Sequence, residues 1–176
     1  MKKIITLGGS NSRNSINKAL ANYVGSQLKD DEIISIDLSG KNIPLYSIDI
    51  ENESGIPQVI TDINTQFDAA DGFVVSLAEH NGSYTAAFKN LYDWMSRVQK
   101  EVWRNKPMLL MATSPGGRGG QTVLETAAKG FPYLGGNITT TYTLPFFGKN
   151  FSEDGIVDDA KAAELSEKVA VFQAAL

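Results

Sequence analysis

The side chains able to do chemistry in this 176-residue chain are mostly neutral, and they gather in three short stretches. The first is Gly8-Gly9-Ser10-Asn11-Ser12-Arg13-Asn14-Ser15-Ile16-Asn17. The second is Ala78-Glu79-His80-Asn81-Gly82-Ser83, and the third is Ser114-Pro115-Gly116-Gly117-Arg118-Gly119-Gly120. No cysteine is present, which excludes thiol nucleophiles, thiolate metal sites and disulfide scaffolds. His80 is the sole histidine, so multi-histidine zinc sites are excluded as well. What remains is an inventory of hydroxyls, carboxamides and bare backbone. Such groups bind and orient; the reactive chemistry has to be polar, backbone-based or supplied by a cofactor.

Each stretch suggests a different part of a ligand. In the first, small residues let the backbone approach an anion, and Ser15 is placed to cap a helix whose free N–H groups and positive dipole end face the same spot. Ser10, Ser12, Ser15 and Asn17 add neutral donors, an arrangement that suits a phosphate monoester. The Walker A spacing is absent, and so is Gly-x-Gly-x-x-Gly, which disfavours nucleoside triphosphate and dinucleotide sites. In the second stretch His80 has the chemistry of an acid or base near neutral pH. Asn81 and the surrounding amides are the better ligand donors. The third stretch packs four glycines into five positions, exposing amides to a polar ring edge. Arg118 among those glycines is a single copy in a chain of net charge −4, poor ground for nucleic-acid binding.

The elements that must position these loops read as five strand–helix units. Apolar runs at Ile4 to Leu7, Gly72 to Leu77 and Pro107 to Ala112 precede the three loops. Glu32 to Leu38 and Ile138 to Leu144 complete the strands, and helical spacing follows each run. Near-continuous apolar strands alternating with helices imply a parallel sheet covered on both faces. The expected fold is α/β, a doubly wound five-stranded parallel sheet in the order 2-1-3-4-5, with residues 1–176 forming a single domain. In that order all three loops gather at one rim, beside the switch point where ligands bind. The connection from Ser39 to Pro57 is expected to be irregular. No apolar run is long enough for a secretory leader or a membrane span, so a cytoplasmic protein without membrane or nucleic-acid partners is expected.

The helix expected from about Tyr84 to Val98 is unusually apolar. Either it is buried on two sides within one chain, or its second face meets another subunit, most simply through a two-fold contact.

Taken together, GGSNSRNSIN, AEHNGSYTAAFKNLYDWMSR and TSPGGRGG resemble the NADPH-dependent FMN reductase family, and LGGNI and FSEDGIVDD extend the likeness over nearly the whole chain. That family includes chromate- and quinone-reducing flavoproteins and azoreductase-like enzymes. The resemblance implies a flavodoxin-like fold and bound FMN. It also implies a two-step hydride transfer from NADPH or NADH to quinones, azo or nitro compounds, metal oxyanions or free flavin. It assigns the FMN phosphate to Ser10, Ser12, Ser15 and Asn17, with Arg13 and Ile16 in the same turn. The ring and ribityl chain fall to Asn81, Gly82 and the Glu79–His80 backbone beside Ala78. Ser114, Gly116 and Gly117 would face the pyrimidine side, flanked by Pro115 and Gly120. No side chain is assigned a catalytic role. The resemblance also implies a homodimer or dimer of dimers through the 84–98 helix.

Two departures stand out. The family commonly has Pro-Glu-Tyr-Asn-Gly where this chain has Ala78-Glu79-His80-Asn81-Gly82, and its usual arginine position is Ser12 here, with Arg13 one place later. One rival reading is a flavodoxin-type electron carrier without its own nicotinamide turnover. Its mild net charge and apolar third helix speak against that. A flavin-free hydrolase or phosphosugar-binding module on the same sheet is a second rival.

Overall fold

The structure is a computed structural model that describes Met1–Leu176. In chain order its elements are β1 (Lys3–Gly8), α1 (Ile16–Gln27), β2 (Glu32–Ile36), α2 (Ile48–Ser54), α3 (Gln58–Asp68) and β3 (Gly72–Leu77). These are followed by β4 (Glu79–His80), β5 (Ser83–Tyr84), α4 (Ala86–Val98), β6 (Pro107–Thr113) and α5 (Gln121–Gly130). A 3-10 turn at Phe131–Leu134, β7 (Asn137–Leu144), α6 (Phe147–Asn150), β8 (Phe151–Ser152), β9 (Gly155–Ile156) and α7 (Asp159–Ala174) complete the chain.

Five strands form one sheet in the order β2-β1-β3-β6-β7, all parallel, which is the expected 2-1-3-4-5 arrangement. The central strands are apolar at nearly every position because both faces are covered, with Thr6, Ser76 and Thr113 the buried polar exceptions. Ile5, Phe73, Val75, Met108 and Leu110 point into a core with α3, α4 and α5. Their neighbours Ile4, Val74, Leu109 and Met111 point the other way, into a core with α1 and α7. The three loops leave β1, β3 and β6 at the same end of the sheet.

Three local features differ from expectation. The 39–57 connection contains α2, nucleated by the Ser47 side chain accepting from Ile50 N–H, with Asp49 and Glu51 favourably placed in its first turn. The second loop is a β-hairpin. Asn81 and Gly82 have φ of 51° and 73°, the two left-handed residues a type I′ turn requires, and β4 and β5 pair across it. As a result α4 begins two residues later than about Tyr84, at Ala86, with Thr85 as its N-cap.

Most of the apolar surface of α4 is buried within the chain, while Val98 at its end is exposed. Phe88, Leu91, Trp94 and Met95 are buried. Trp94 Nε1 donates to Pro44 O at 2.8 Å, its ring meets Tyr46 edge-on, and Asn90 holds Tyr46 N–H and the carbonyls of Ile43 and Pro44. Thus the 39–57 connection covers part of the second face of α4, so that burial on two sides within one chain accounts for Trp94. Trp103 is also buried, in a cluster with Tyr92, Phe131, Phe67 and Phe73.

Candidate active site

At the C-terminal rim of the sheet a cleft of about 180 Å³ opens between the three loops. Ser10, Ser12, Ser15, Ile16, Asn17, Ala78, Glu79, His80, Ser114 and Pro115 line it, all of them singled out from the sequence. Asn14 and Thr113 also line it and were not expected. Arg13, Asn81, Gly82, Gly116, Gly117 and Gly120 are not part of the lining. Asn81 and Gly82 form the exposed tip of the hairpin, and the loop glycines lie beyond Pro115 along the rim.

The loop between β1 and α1 has the features of an anion cradle. Ser15 caps α1 by accepting from Lys18 N–H, and Ser10 Oγ accepts from Ser12 N–H. The N–H groups of Asn11, Arg13, Asn14, Ile16 and Asn17 have no acceptor in the protein. Unpaired donors at the positive end of a 12-residue helix, with serine hydroxyls beside them, suit a phosphate ester. Full cationic charge is held back. Lys18 Nζ is engaged by Asp37 at 2.7 Å and by the Arg13 carbonyl. Burial pushes the Asp37 carboxyl up, but hydrogen bonds from Lys18 and Ser39 outweigh it and hold the group below its usual range.

The Asn17 side chain is committed elsewhere. Its Oδ1 accepts from Ser76 Oγ at 2.7 Å and from Thr113 N–H at 3.0 Å, while Nδ2 donates to Thr113 O at 3.0 Å. With both lone-pair sites used and the residue buried, what it offers a phosphate is chiefly its backbone N–H. The carboxamide instead ties the first loop to the start of the third.

Two further side chains close the triangle. Thr85 Oγ1 accepts from Phe88 N–H and donates to Gly9 O at 2.8 Å, fastening the base of the hairpin to the first loop. Glu79 Oε2 accepts from Val123 N–H at 3.0 Å. The α5 N-cap is Gly120, which has no side chain to cap with, so a carboxylate from the hairpin does that work. Each pair of loops is therefore linked by one side chain, and no buried side-chain polar atom in the molecule lacks a partner. His80 stands exposed on the cleft edge beside the turn.

The third loop is held differently, by backbone. Phe146 N–H donates to Gly116 O, Phe147 N–H donates to Ser114 O, and Thr113 Oγ1 donates to Leu144 O at 2.6 Å. The segment after β7 thus runs along the glycine-rich loop. A Cβ on Gly117 would lie 2.7 Å from the tip of the Phe146 ring, so glycine is what lets that ring rest there.

A cleft of this size and lining has room for a phosphate ester and part of the chain that carries it. A family model described as NADPH-dependent FMN reductase matches residues 2–147. The chain belongs to that family. The quinone reductase of Escherichia coli strain K12 is 31% identical over 118 residues, covering 67% of this chain and 63% of its own. The matched region thus spans less than two thirds of that relative's length. Among solved structures, a flavoenzyme NAD(P)H:(acceptor) oxidoreductase from Paracoccus denitrificans superposes with a TM-score of 0.82 at 20% identity, covering 98% of this chain and 95% of that one. A flavodoxin from Pseudomonas aeruginosa superposes with a TM-score of 0.57 at 18% identity, covering 97% and 99%. Both neighbours show the shared flavodoxin-like fold. For this member of the family, no helix is long and apolar enough to cross a membrane.

Proposed function

We propose that the chain is a single flavodoxin-like FMN-binding domain acting as an NAD(P)H-dependent reductase of quinones and related acceptors. The observation that carries this reading is the set of unpaired N–H groups at Asn14, Ile16 and Asn17, in a cleft that two further loops complete, with those of Asn11 and Arg13 in the same turn. Phosphate would be held by these amides and by the hydroxyls of Ser10, Ser12 and Ser15. The hairpin and the amides of the third loop would border the ring. Bound FMN would relay a hydride from reduced nicotinamide to the acceptor. With one proton from solvent, NAD(P)H and a quinone become NAD(P)+ and a hydroquinone.

The chain's own residues bind, orient and polarise. Backbone N–H groups of the third loop are fixed donors toward a ring edge that gains negative charge on reduction, the same use of preorganised dipoles seen in oxyanion holes. The Glu79 carboxylate is turned to Val123 N–H, which keeps its charge on the helix terminus. Quinone reductase and FMN reductase relatives support this assignment. The family resemblance supports a homodimer or dimer of dimers in the cytoplasm, with Val98 the exposed large apolar side chain of α4.

The test is steady-state oxidation of NADPH and NADH by FMN-loaded protein with a naphthoquinone. Turnover with at least one nicotinamide is expected. Flavin binding without turnover by either would favour an electron carrier, and no flavin binding would refute the reading altogether.

A further inference from the structure

Phe146 has φ 49° and ψ 55°, a left-handed conformation unfavourable for a residue with a bulky side chain. The bend is fixed from both sides. Its N–H donates to Gly116 O, its carbonyl accepts from Lys149 and Asn150 N–H, and the buried Asn150 carboxamide holds Pro145 O. Glycine would make the same turn without strain, so the turn explains the backbone but not the choice of phenylalanine.

The ring is 51% exposed, while Phe147 next to it packs into the core with α1 and α7. Its tip rests on Gly117, and its backbone is stitched to Gly116 in the loop that begins at the cleft. The cleft is lined mostly by small polar residues, with Ile16, Ala78 and Pro115 its apolar members and no aromatic ring other than the His80 imidazole. Of the large apolar side chains exposed on this protein, Phe146 is the one fastened to a cleft-forming loop.

We propose that Phe146 is an acceptor-binding residue: its ring is the apolar wall against which a planar aromatic acceptor of the quinone class lies at the open end of the site. The proposal rests on the reductase reading above and adds the surface that selects among acceptors. Strain that the neighbouring hydrogen bonds over-determine, with an aromatic ring held outward, is the pattern expected where a fold presents a side chain to a ligand.

Phe146→Gly removes the ring and keeps the turn, and Phe146→Tyr keeps an aromatic. In Phe146→Gly the KM for a naphthoquinone should rise about three- to ten-fold, the range of a lost aromatic contact. The KM for ferricyanide, which has no aromatic plane, should stay within about two-fold, as should FMN affinity. Phe146→Tyr should restore the quinone KM. In parallel, calorimetry of oxidised FMN-loaded protein with naphthalene-2-sulfonate, which is not reduced, should show a similar loss of affinity in Phe146→Gly. Unchanged quinone KM and sulfonate affinity in a folded, FMN-binding Phe146→Gly would overturn the proposal, and so would an equal rise in the ferricyanide KM. If the wild-type protein binds FMN but turns over no nicotinamide, the reductase reading fails, and the calorimetric comparison still decides whether Phe146 contacts planar aromatics.

Discussion

The two ends of the cleft are built on opposite plans. Around the loop after β1, the proposed phosphate end, the protein uses buried side chains: Asn17, Ser76 and Thr113 interlock, and Thr85 clasps Gly9. Toward the hairpin and the Phe146 turn it uses exposed backbone with left-handed bends at Asn81, Gly82 and Phe146. A buried polar network is costly to leave half-made, so the first end is rigid. Bends on the surface leave amides facing outward and can suit rings of more than one shape. The difference teaches how one small site can hold a cofactor firmly and still accept varied partners: firmness is placed at one end and accessibility at the other.

Asn17→Ala would break the rigid end most severely. It strands the Ser76 hydroxyl and both backbone groups of Thr113, each at about 1–3 kcal/mol when buried and unpaired, so a loss of roughly 3 kcal/mol is expected in urea unfolding. Because Asn17 joins two loops, FMN and riboflavin should weaken by similar factors. A loss confined to FMN would instead make Asn17 a phosphate ligand. Glu79→Ala removes the cap from α5 and should cost about 1 kcal/mol, with Glu79→Gln recovering part of it as an acceptor without charge. Hydrogen exchange at Val123 should rise in the first variant and less in the second.

Gly117→Ala sharpens the contrast at the accessible end. Its Cβ meets only the tip of an exposed ring, which can swing away, so stability should fall by less than about 1 kcal/mol. The quinone KM should nevertheless shift, because Phe146 has moved. The smallest effect concerns Asp37. Its carboxyl is held below the usual range in the folded chain, so its contribution is present above the unfolded pKa and is lost as pH falls through the lower folded value. Asp37→Asn should therefore lower stability slightly near neutrality, and the difference from wild type should start to shrink as pH falls below about 4 and vanish only below the lowered folded value.

Much of this was legible in the sequence for stated reasons. Strands that are apolar on both faces rather than alternating signal a sheet covered on both sides, and the strand order then brings three loops to one rim. Ser15 reads as a cap from its place before a helical pattern and serves as one. The hairpin had a readable signal, Asn81-Gly82, which is the pair a type I′ turn favours. The helix α2 had one in Ser47 with Asp49 and Glu51 behind it. Asn17 was not readable in the same way, because its partners lie 59 and 96 residues away, and only folding brings them together. Thr113 and Asn14 escaped notice because nothing local distinguishes a threonine ending a strand, or one polar loop residue among many. The left-handed bend at Phe146 is imposed by its hydrogen bond to the Gly116 carbonyl and by those it accepts from Lys149 and Asn150 of α6, contacts that no local pattern announces.

The most direct measurement is a paired titration of the flavin-free protein with FMN and with riboflavin, followed by flavin fluorescence and absorbance. Tighter binding of FMN by at least about ten-fold, equivalent to some 1.4 kcal/mol drawn from the phosphate, and perturbed ring absorbance with both ligands are expected. Equal affinity for the two, or binding that leaves the ring spectrum unchanged, would contradict a site in which the amides after β1 hold the phosphate while the other two loops border the ring.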